Sequence, residues 1–309
     1  MKKMPKAPLY RDPIYDGAAD PTVVYNGYEN KWWMVYTQRR ANQKIPGVAY
    51  CHGTEIGIAS SNDDGLNWTY RGTMQGLEFE NGKNTFWAPE IIYHDGLYHM
   101  YVSYIQGIPI DWSGERHIIH YTSSDCFNWS MERILDLSSD YVIDACVYQL
   151  PDGSFRMIYK DEADGSSSHI ARSVDLYNWD ELEPVVSDEG HEGPFVFKWK
   201  DFYWMIVDKW KGLGVYRSED GQKWISCHQI ILSEVGERQD DATFGRHASV
   251  VVKDNQAYIF YFTHPDWDDN ADDSCLSYSH KRTSIQVAKL SYKDDHLICN
   301  RNEPFELKL

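Results

Sequence analysis

Several things are scarce in this chain. Six cysteines in 309 residues (Cys51, Cys126, Cys146, Cys227, Cys275 and Cys299) include no CxxC pair, so zinc-ribbon and dithiol redox chemistry lack their spacing. Free and mostly buried thiols are expected instead. Positive charge is also short: 30 Lys and Arg against 47 Asp and Glu leave a net charge of −17. That balance argues against non-specific binding to nucleic acid or to an anionic membrane, and is indifferent to a neutral ligand such as a sugar. No apolar run approaches the roughly 18 residues of a membrane span. The N-terminal stretch from Met1 to Pro8 is basic but has no apolar h-region. The chain as it stands reads as cytoplasmic, or as a secreted or periplasmic protein whose signal has been removed.

What is abundant is aromatic residues, 15% of the chain with 22 Tyr and 12 Trp, a composition suited to strands. It is also repetitive. Five stretches follow one scheme of strand, tight turn and strand, and each begins with an ionisable residue: Asp20, Glu90, Asp144, Glu192 and His247. The first runs Asp20-Pro21-Thr22-Val23-Val24-Tyr25, then Asn26-Gly27, then Lys31-Trp32-Trp33-Met34-Val35-Tyr36. Repeats of about this length indicate a β-propeller with about four antiparallel strands per blade. Five blades consume residues 1–309, so one all-β domain is expected.

A second pattern follows the first in four repeats: Asp64 to Trp68, Asp125 to Trp129, Asp175 to Trp179 and Asp220 to Trp224, each Asp-x-x-(Asn/Lys)-Trp. Asp and Asn suit a hairpin turn, and the Trp packs back on the sheet. Propeller topology puts these turns on the bottom face, in a structural role. The fifth repeat has only the degenerate Ser291 to Asp295, as expected if Tyr10–Ile14 supplies or supports a closing strand. The loops at 38–55, 104–116 and 263–282 are long and fall on the top face, around the five leading residues, where binding sites usually lie.

If the copies surround an axis, their leading residues converge, and four of the five are carboxylates. Crowded carboxylates repel and raise one another's pKa, a poor arrangement for stability alone. A carboxylate pair across a neutral substrate is what glycoside hydrolysis needs: one protonates the departing oxygen, the other activates water or attacks. Asp20 and Glu192 are two steps apart around a five-fold ring, which leaves room for a water and favours inversion. Asp144, beside Glu192, holds the acid protonated by like-charge repulsion in this reading.

The ordered set Ala19-Asp20-Pro21, Trp87-Ala88-Pro89-Glu90, the Asp144 strand, Glu192-Gly193-Pro194 and Arg246-His247 resembles the five-bladed propellers of glycoside hydrolase family 43 over essentially the whole chain. The resemblance implies an inverting hydrolase acting on plant or algal carbohydrate. It gives Asp20 as general base, Asp144 as pKa modulator and orienter, and Glu192 as general acid. It also implies a central cation, commonly calcium and largely water-coordinated, near His247, with no organic cofactor. Glu90 departs from the Asp often found in that family. His191-Glu192, Thr37-Gln38-Arg39-Arg40-Ala41-Asn42 and His52-Gly53-Thr54 are similar to glycoside hydrolase family 117, the anhydro-galactosidases acting on agar oligosaccharides. That similarity makes His191 the alternative acid. The nucleophile and acid motifs of sucrose- and fructan-cleaving propellers are absent. Mannoside phosphorylases need a basic phosphate site, which Arg39 and Arg40 offer. A non-catalytic sugar-binding propeller is the alternative of a different class.

Further candidates sit on the same face. Glu90, His191, Trp87 and Arg39 are expected against the substrate, with Trp112 and Trp267 as further aromatic faces. Asp161 and Asp208 end the second strand of blades 3 and 4, as sugar ligands or loop caps. His52 and His264 are weaker candidates. Asp266, Asp268, Asp269, Asp272 and Asp273 lack EF-hand spacing and read as a solvated acidic loop. Oligomeric state is left open.

Overall fold

The computed structural model describes residues 4–182, 184–268 and 276–309. Five four-stranded antiparallel sheets account for nearly all of its regular structure. Blade 1 comprises β1 (Ala18–Asn26), β2 (Lys31–Gln38), β3 (Glu55–Ser61) and β4 (Thr69–Thr73). Blade 2 is β5 (Thr85–His94), β6 (Leu97–Ile105), β7 (His117–Ser123) and β8 (Ser130–Ile134). Blade 3 is β9 (Val142–Gln149), β10 (Phe155–Asp161), β11 (Ser167–Ser173) and β12 (Asp180–Glu181). Blade 4 is β13 (Glu192–Trp199), β14 (Phe202–Asp208), β15 (Leu213–Ser218) and β16 (Ile225–Ile231). Blade 5 is β17 (Arg246–Lys253), β18 (Gln256–Thr263), β19 (Ser284–Lys293) and β20 (His296–Cys299).

The first strand of each blade packs on the first strand of the next, and β17 returns to β1, so the inner strands close a ring around one axis. Second strands such as Lys31–Gln38 and Phe155–Asp161 are buried nearly throughout. Each is a middle strand with a neighbouring sheet on both faces, which is why it reads as continuous apolar sequence rather than alternation. Each of the five blade interfaces has its own apolar cluster; Trp33, Met100 and Tyr121 lie between blades 1 and 2, and Trp204, Ile259 and Leu290 between blades 4 and 5. Cys51, Cys126 and Cys146 are buried free thiols, and Cys227 and Cys299 are free and half-buried. Cys275 lies outside the described residues.

Closure departs from one form of the expectation. Blade 5 takes its fourth strand, β20, from the C-terminal part of the chain. That strand is short and pairs only with residues 290–293 of β19. Further along β19, Tyr10 exchanges backbone hydrogen bonds with Ile285 at 3.1 and 2.9 Å. The N-terminal segment therefore supports the closing sheet and does not supply its fourth strand. Phe305, Leu307 and Leu309 pack with Leu9, Tyr10 and Trp68 between blades 5 and 1. Burying each such apolar side chain stabilises by roughly 1.5–3 kcal/mol, so the two tails fasten the ring by packing. No helix among the described residues is long and apolar enough to cross a membrane.

Candidate active site

Every inner strand is irregular at the same place. The register with the second strand slips at Ala19/Thr22, Trp87/Glu90, Glu192/Phe195 and Arg246/Ala248, and in blade 3 opposite Ile158/Lys160, where Asp144 sits. These are β-bulges, which re-aim a side chain and break the ladder. The bulged residue has positive φ in four blades: Asp20 (49°), Ala88 (45°), Asp144 (60°) and Gly193 (55°). In blades 2 to 5 its amide is taken up by a side chain of the preceding blade. Ala88 N–H donates to Thr37 Oγ1 at 2.9 Å, Asp144 N–H to Ser103 Oγ at 2.9 Å, Gly193 N–H to Asp144 Oδ2 at 3.0 Å, and His247 N–H to Asp208 Oδ2 at 2.9 Å. Unpaired backbone groups are thereby avoided, and neighbouring blades are laced together at the axis. Blade 4 needs glycine here, because a Cβ on Gly193 would lie 2.7 Å from the His247 ring.

In every blade the bulged residue, the one before it, or both line a top-face cavity of about 460 Å³. Asp20, Asp144, Glu192 and His247 share this cavity. Trp87 and Trp112 form an aromatic wall with rings 6.2 Å apart, and Trp210 and Trp267 line it elsewhere. His247 Nδ1 lies 3.7 Å from Asp20 and 3.9 Å from Asp144. Arg39 Nη2 reaches both oxygens of Asp20 at 3.3 Å. Lys160 Nζ is shared between Glu192 at 3.2 Å and Glu162 at 2.9 Å, and Arg116 joins Glu162 at 2.7 Å. Asp20 and Glu192 stand on blades 1 and 4, with blade 5 and its His247 between them.

The charges are unequal. Burial pushes Asp144 up to about 6; Glu192 and Asp20 add to this, while His247 and Lys160 oppose it. Burial also works to raise Glu192, but Lys160, then His247, overcome it and hold that carboxyl below its ordinary value. Like-charge repulsion thus adds to the lift that burial gives Asp144, whereas the sequence alone suggests such a lift for Glu192. The difference is Lys160, the ion-pair partner of Glu192.

Other expectations are corrected. Glu90 does not line the cavity. It lies two residues past the bulge, where its Oε1 accepts the Val147 N–H at 3.2 Å, and burial pushes it up to about 8. Ala88 holds the position equivalent to Asp20, and Trp87 the position equivalent to Glu192. His191 also faces away from the cavity: its ring is buried and bonded to Ser168 Oγ and Glu189 O, each at 2.7 Å. Burial lowers its pKa, and both ring nitrogens are engaged, so it is unsuited to be the acid. Asp161 is a loop cap, accepting from Ser138, Ser139 and the Ala163 N–H. Asp208, pushed up to about 6 by burial and Glu192, caps Trp210 N–H and His247 N–H behind the wall. Arg40 braces the blade 1 loop through His52 O and Ala49 O. Asp269, Asp272 and Asp273 lie outside the described residues.

Calcium takes six to eight oxygen ligands. Around His247 the side chains offer one imidazole, two carboxylates already facing it, and the cations Arg39 and Lys160. Among the described residues no three His, Cys, Asp or Glu converge as metal ligands. A cation beside His247 would therefore be held largely by water, as the resemblance implies, and no step of the proposed reaction depends on one.

Lys160, Glu162, Arg116 and Trp210 were missed as site residues. Lys160 precedes Asp161 in β10, and a one-residue step along a strand reverses the face a side chain points to. A lysine directly after Met157-Ile158-Tyr159 was the available signal. For the bulges it was proline: Asp20-Pro21, Ala88-Pro89 and Gly193-Pro194 align the true register, where alignment on the acids does not.

No protein-family model matches the chain, and no curated protein sequence matches it. Solved structures do. A thermostable family-43 glycoside hydrolase is 19% identical, with a TM-score of 0.71 over 97% of this chain and 99% of its own. An endo-1,4-β-xylanase from Bacteroides thetaiotaomicron is 18% identical, with a TM-score of 0.70 over 94% of this chain and 97% of its own. The xylan β-1,4-xylosidase from Bacillus halodurans is 15% identical, with a TM-score of 0.66 over 96% of this chain, which spans only 58% of that enzyme. At these identities the likeness establishes the fold: this chain has the five-bladed propeller arrangement seen in family 43 glycoside hydrolases.

Proposed function

We propose that the protein is a glycoside hydrolase that cleaves with inversion at a chain end. One observation carries the reading: Asp20 and Glu192 face one aromatic-walled cavity from opposite sides of His247. In this mechanism Asp20 accepts a proton from a water as that water attacks the anomeric carbon. Glu192 gives its proton to the glycosidic oxygen as the bond to the leaving group breaks. Asp144 orients the site through the Gly193 N–H and His247, and its charge acts on Glu192. Trp87 and Trp112 offer apolar faces to a sugar ring.

Glu192 must hold a proton to act as the acid, yet Lys160 favours its ionised form. Lys160 has a second carboxylate within reach, Glu162. A sugar entering the cavity that moves Lys160 fully onto Glu162 removes the nearest cation from Glu192. Burial and Asp144 then raise its pKa. Ligand binding thereby arms the acid.

A cavity of this size suits a terminal sugar. The similar structures carry names that include β-xylosidase, exo-1,5-α-L-arabinanase and β-1,3-galactosidase, so plant and algal oligosaccharides are the substrates to try. The test is a panel of aryl glycosides and such oligosaccharides, with NMR of the first anomer released. Release of the anomer opposite to the substrate linkage supports the reading. The retained anomer, or no cleavage across the panel, counts against it.

A further inference from the structure

Two guanidinium groups on the blade 5–blade 1 side of the cavity have donors to spare. Arg39 uses Nη2 on Asp20, at a long 3.3 Å, and its Nε is buried without a partner. Arginine carries five N–H donors, so most of this group's capacity is unspent. Arg246 holds the same bulge position in blade 5 that Glu192 holds in blade 4. Its guanidinium makes no hydrogen bond or ion pair among the described residues and lies over the Trp267 ring at 5.7 Å.

The two are held on one wall. Arg39 lies 4.9 Å over Phe262, Phe262 packs on His264 at 5.7 Å, and His264 packs on Trp267 at 5.3 Å. An unbroken aromatic row thus carries a guanidinium at each end. His264 contributes no positive charge of its own. Burial, with Arg246 and Arg39 nearby, keeps its pKa well below the ordinary value, and its Nδ1 is engaged with His280 O at 3.0 Å. Both arginines also act on the buried Tyr50 hydroxyl, which places them around one locus. Among the described residues, Asp20 is the one cavity carboxylate hydrogen-bonded to either arginine; Asp208, outside the cavity, also acts on Arg246.

We propose that Arg39 and Arg246 form a subsite for an anionic substituent on the sugar, a carboxylate or a sulfate ester. This rests on the cavity being the sugar site and narrows its substrate class to acidic sugars. A planar fork of N–H donors matches either oxyanion. At a net charge of −17, the molecule as a whole repels an anion, and screening beyond about 8 Å leaves the decision to local charge. A neutral sugar would leave the buried Arg39 Nε and the whole Arg246 guanidinium unpaired, at a cost that an oxyanion removes.

Binding tests this without turnover. Calorimetry on the full chain compares galacturonate with galactose, glucuronate with glucose, and galactose 6-sulfate with galactose. In at least one pair the acidic member binds about tenfold tighter at low salt. That ratio shrinks in 0.5 M salt and falls toward one in Arg246→Gln, while Arg246→Lys keeps part of it. The uronate and sulfate arms tell the two substituents apart. Equal affinities in every pair, or a ratio unmoved by Arg246→Gln in a protein of unchanged melting temperature, overturn the proposal. So does inorganic phosphate that binds here and is released as a glycosyl phosphate, since the oxyanion is then a co-substrate. If no glycoside is cleaved but the acidic preference holds, the hydrolase reading fails and the subsite stands.

Discussion

The two ends of the blades use repetition in opposite ways. On the bottom face the same carboxylate bond recurs in four blades. Asp125 grips the Asn128 N–H and side chain at 2.8 Å, Asp175 does the same for Asn178, and Asp220 accepts the Lys223 N–H. In blade 1 the gripping residue is Asp63, one before the Asp64 that the motif singles out. On the top face the backbone device is equally constant, one bulge per blade, but no two blades carry the same pair of side chains at it. The pairs before and at the bulge are Ala19-Asp20, Trp87-Ala88, Ile143-Asp144, Glu192-Gly193 and Arg246-His247. A chain that keeps the backbone symmetric and breaks the side-chain symmetry places Asp20, Asp144, Glu192, the Trp87 ring and Arg246 around one axis at fixed spacing.

The largest effect that would break this contrast is at the top. Asp20→Asn and Glu192→Gln should each lower kcat/KM by about 10²–10⁴-fold, the usual worth of a positioned acid or base. Melting temperature should hardly move, because both side chains open onto the cavity. A variant that keeps full activity on a substrate the native enzyme cleaves removes that residue from the mechanism.

The contrast also explains what was legible in the sequence. The propeller and its five strand starts follow from strand–turn–strand repeats, because each blade meets the same packing problem. Asp20, Asp144, Glu192, Arg39, Trp87 and His247 were found because they sit at the starts of inner strands or in the loop beside them. Glu90 and Asp161 were misplaced by one or two residues, and His191 lies beside the residue that faces the cavity. A bulge changes which side chains face the axis without changing the apolar pattern, so periodicity alone does not reveal it. The Lys160 ion pair was hidden because it depends on which face β10 presents.

Next in size is Glu90, which falls between the two ends. Its proton is held up to about pH 8 in the folded state, whereas the unfolded chain loses it near 4.5. Below pH 4.5 both states hold the proton, and Glu90→Gln should be close to neutral. As pH rises toward 8 the unfolded chain ionises while the folded one does not, so the native residue costs stability that Gln does not. The variant should gain up to about 3 kcal/mol at pH 7, read by denaturant melts across pH. A gain of equal size at pH 4 would mean that the cause is not the proton.

Lys160→Gln sharpens the top face by removing its main electrostatic inequality. Glu192 loses the cation that depresses it, and its pKa rises. The alkaline limb of kcat/KM should therefore move to higher pH, because the acid stays protonated longer. A merely structural role for Lys160 would lower activity evenly across the profile and leave the limb in place.

The smallest expected effect is on the bottom face. Asp125→Ala removes the acceptor of the Phe127 N–H, the Asn128 N–H and the Asn128 side chain. The turn is partly exposed, so water replaces much of what is lost, and a cost of about 1 kcal/mol is expected. For a chain of this length that lowers the melting temperature by roughly 2 °C, with kcat/KM unchanged. Burial works to raise the Asp125 carboxyl, but bonds from Asn128, Phe127 and Ser123 hold it below the ordinary carboxylate value. Its contribution is therefore present above about pH 4 and fades as pH falls through the folded pKa, so the difference between variant and native melts should narrow in acid. A loss of activity at neutral pH without a loss of stability would mean that the turn communicates with the axis, and the division of labour between the two faces would fail.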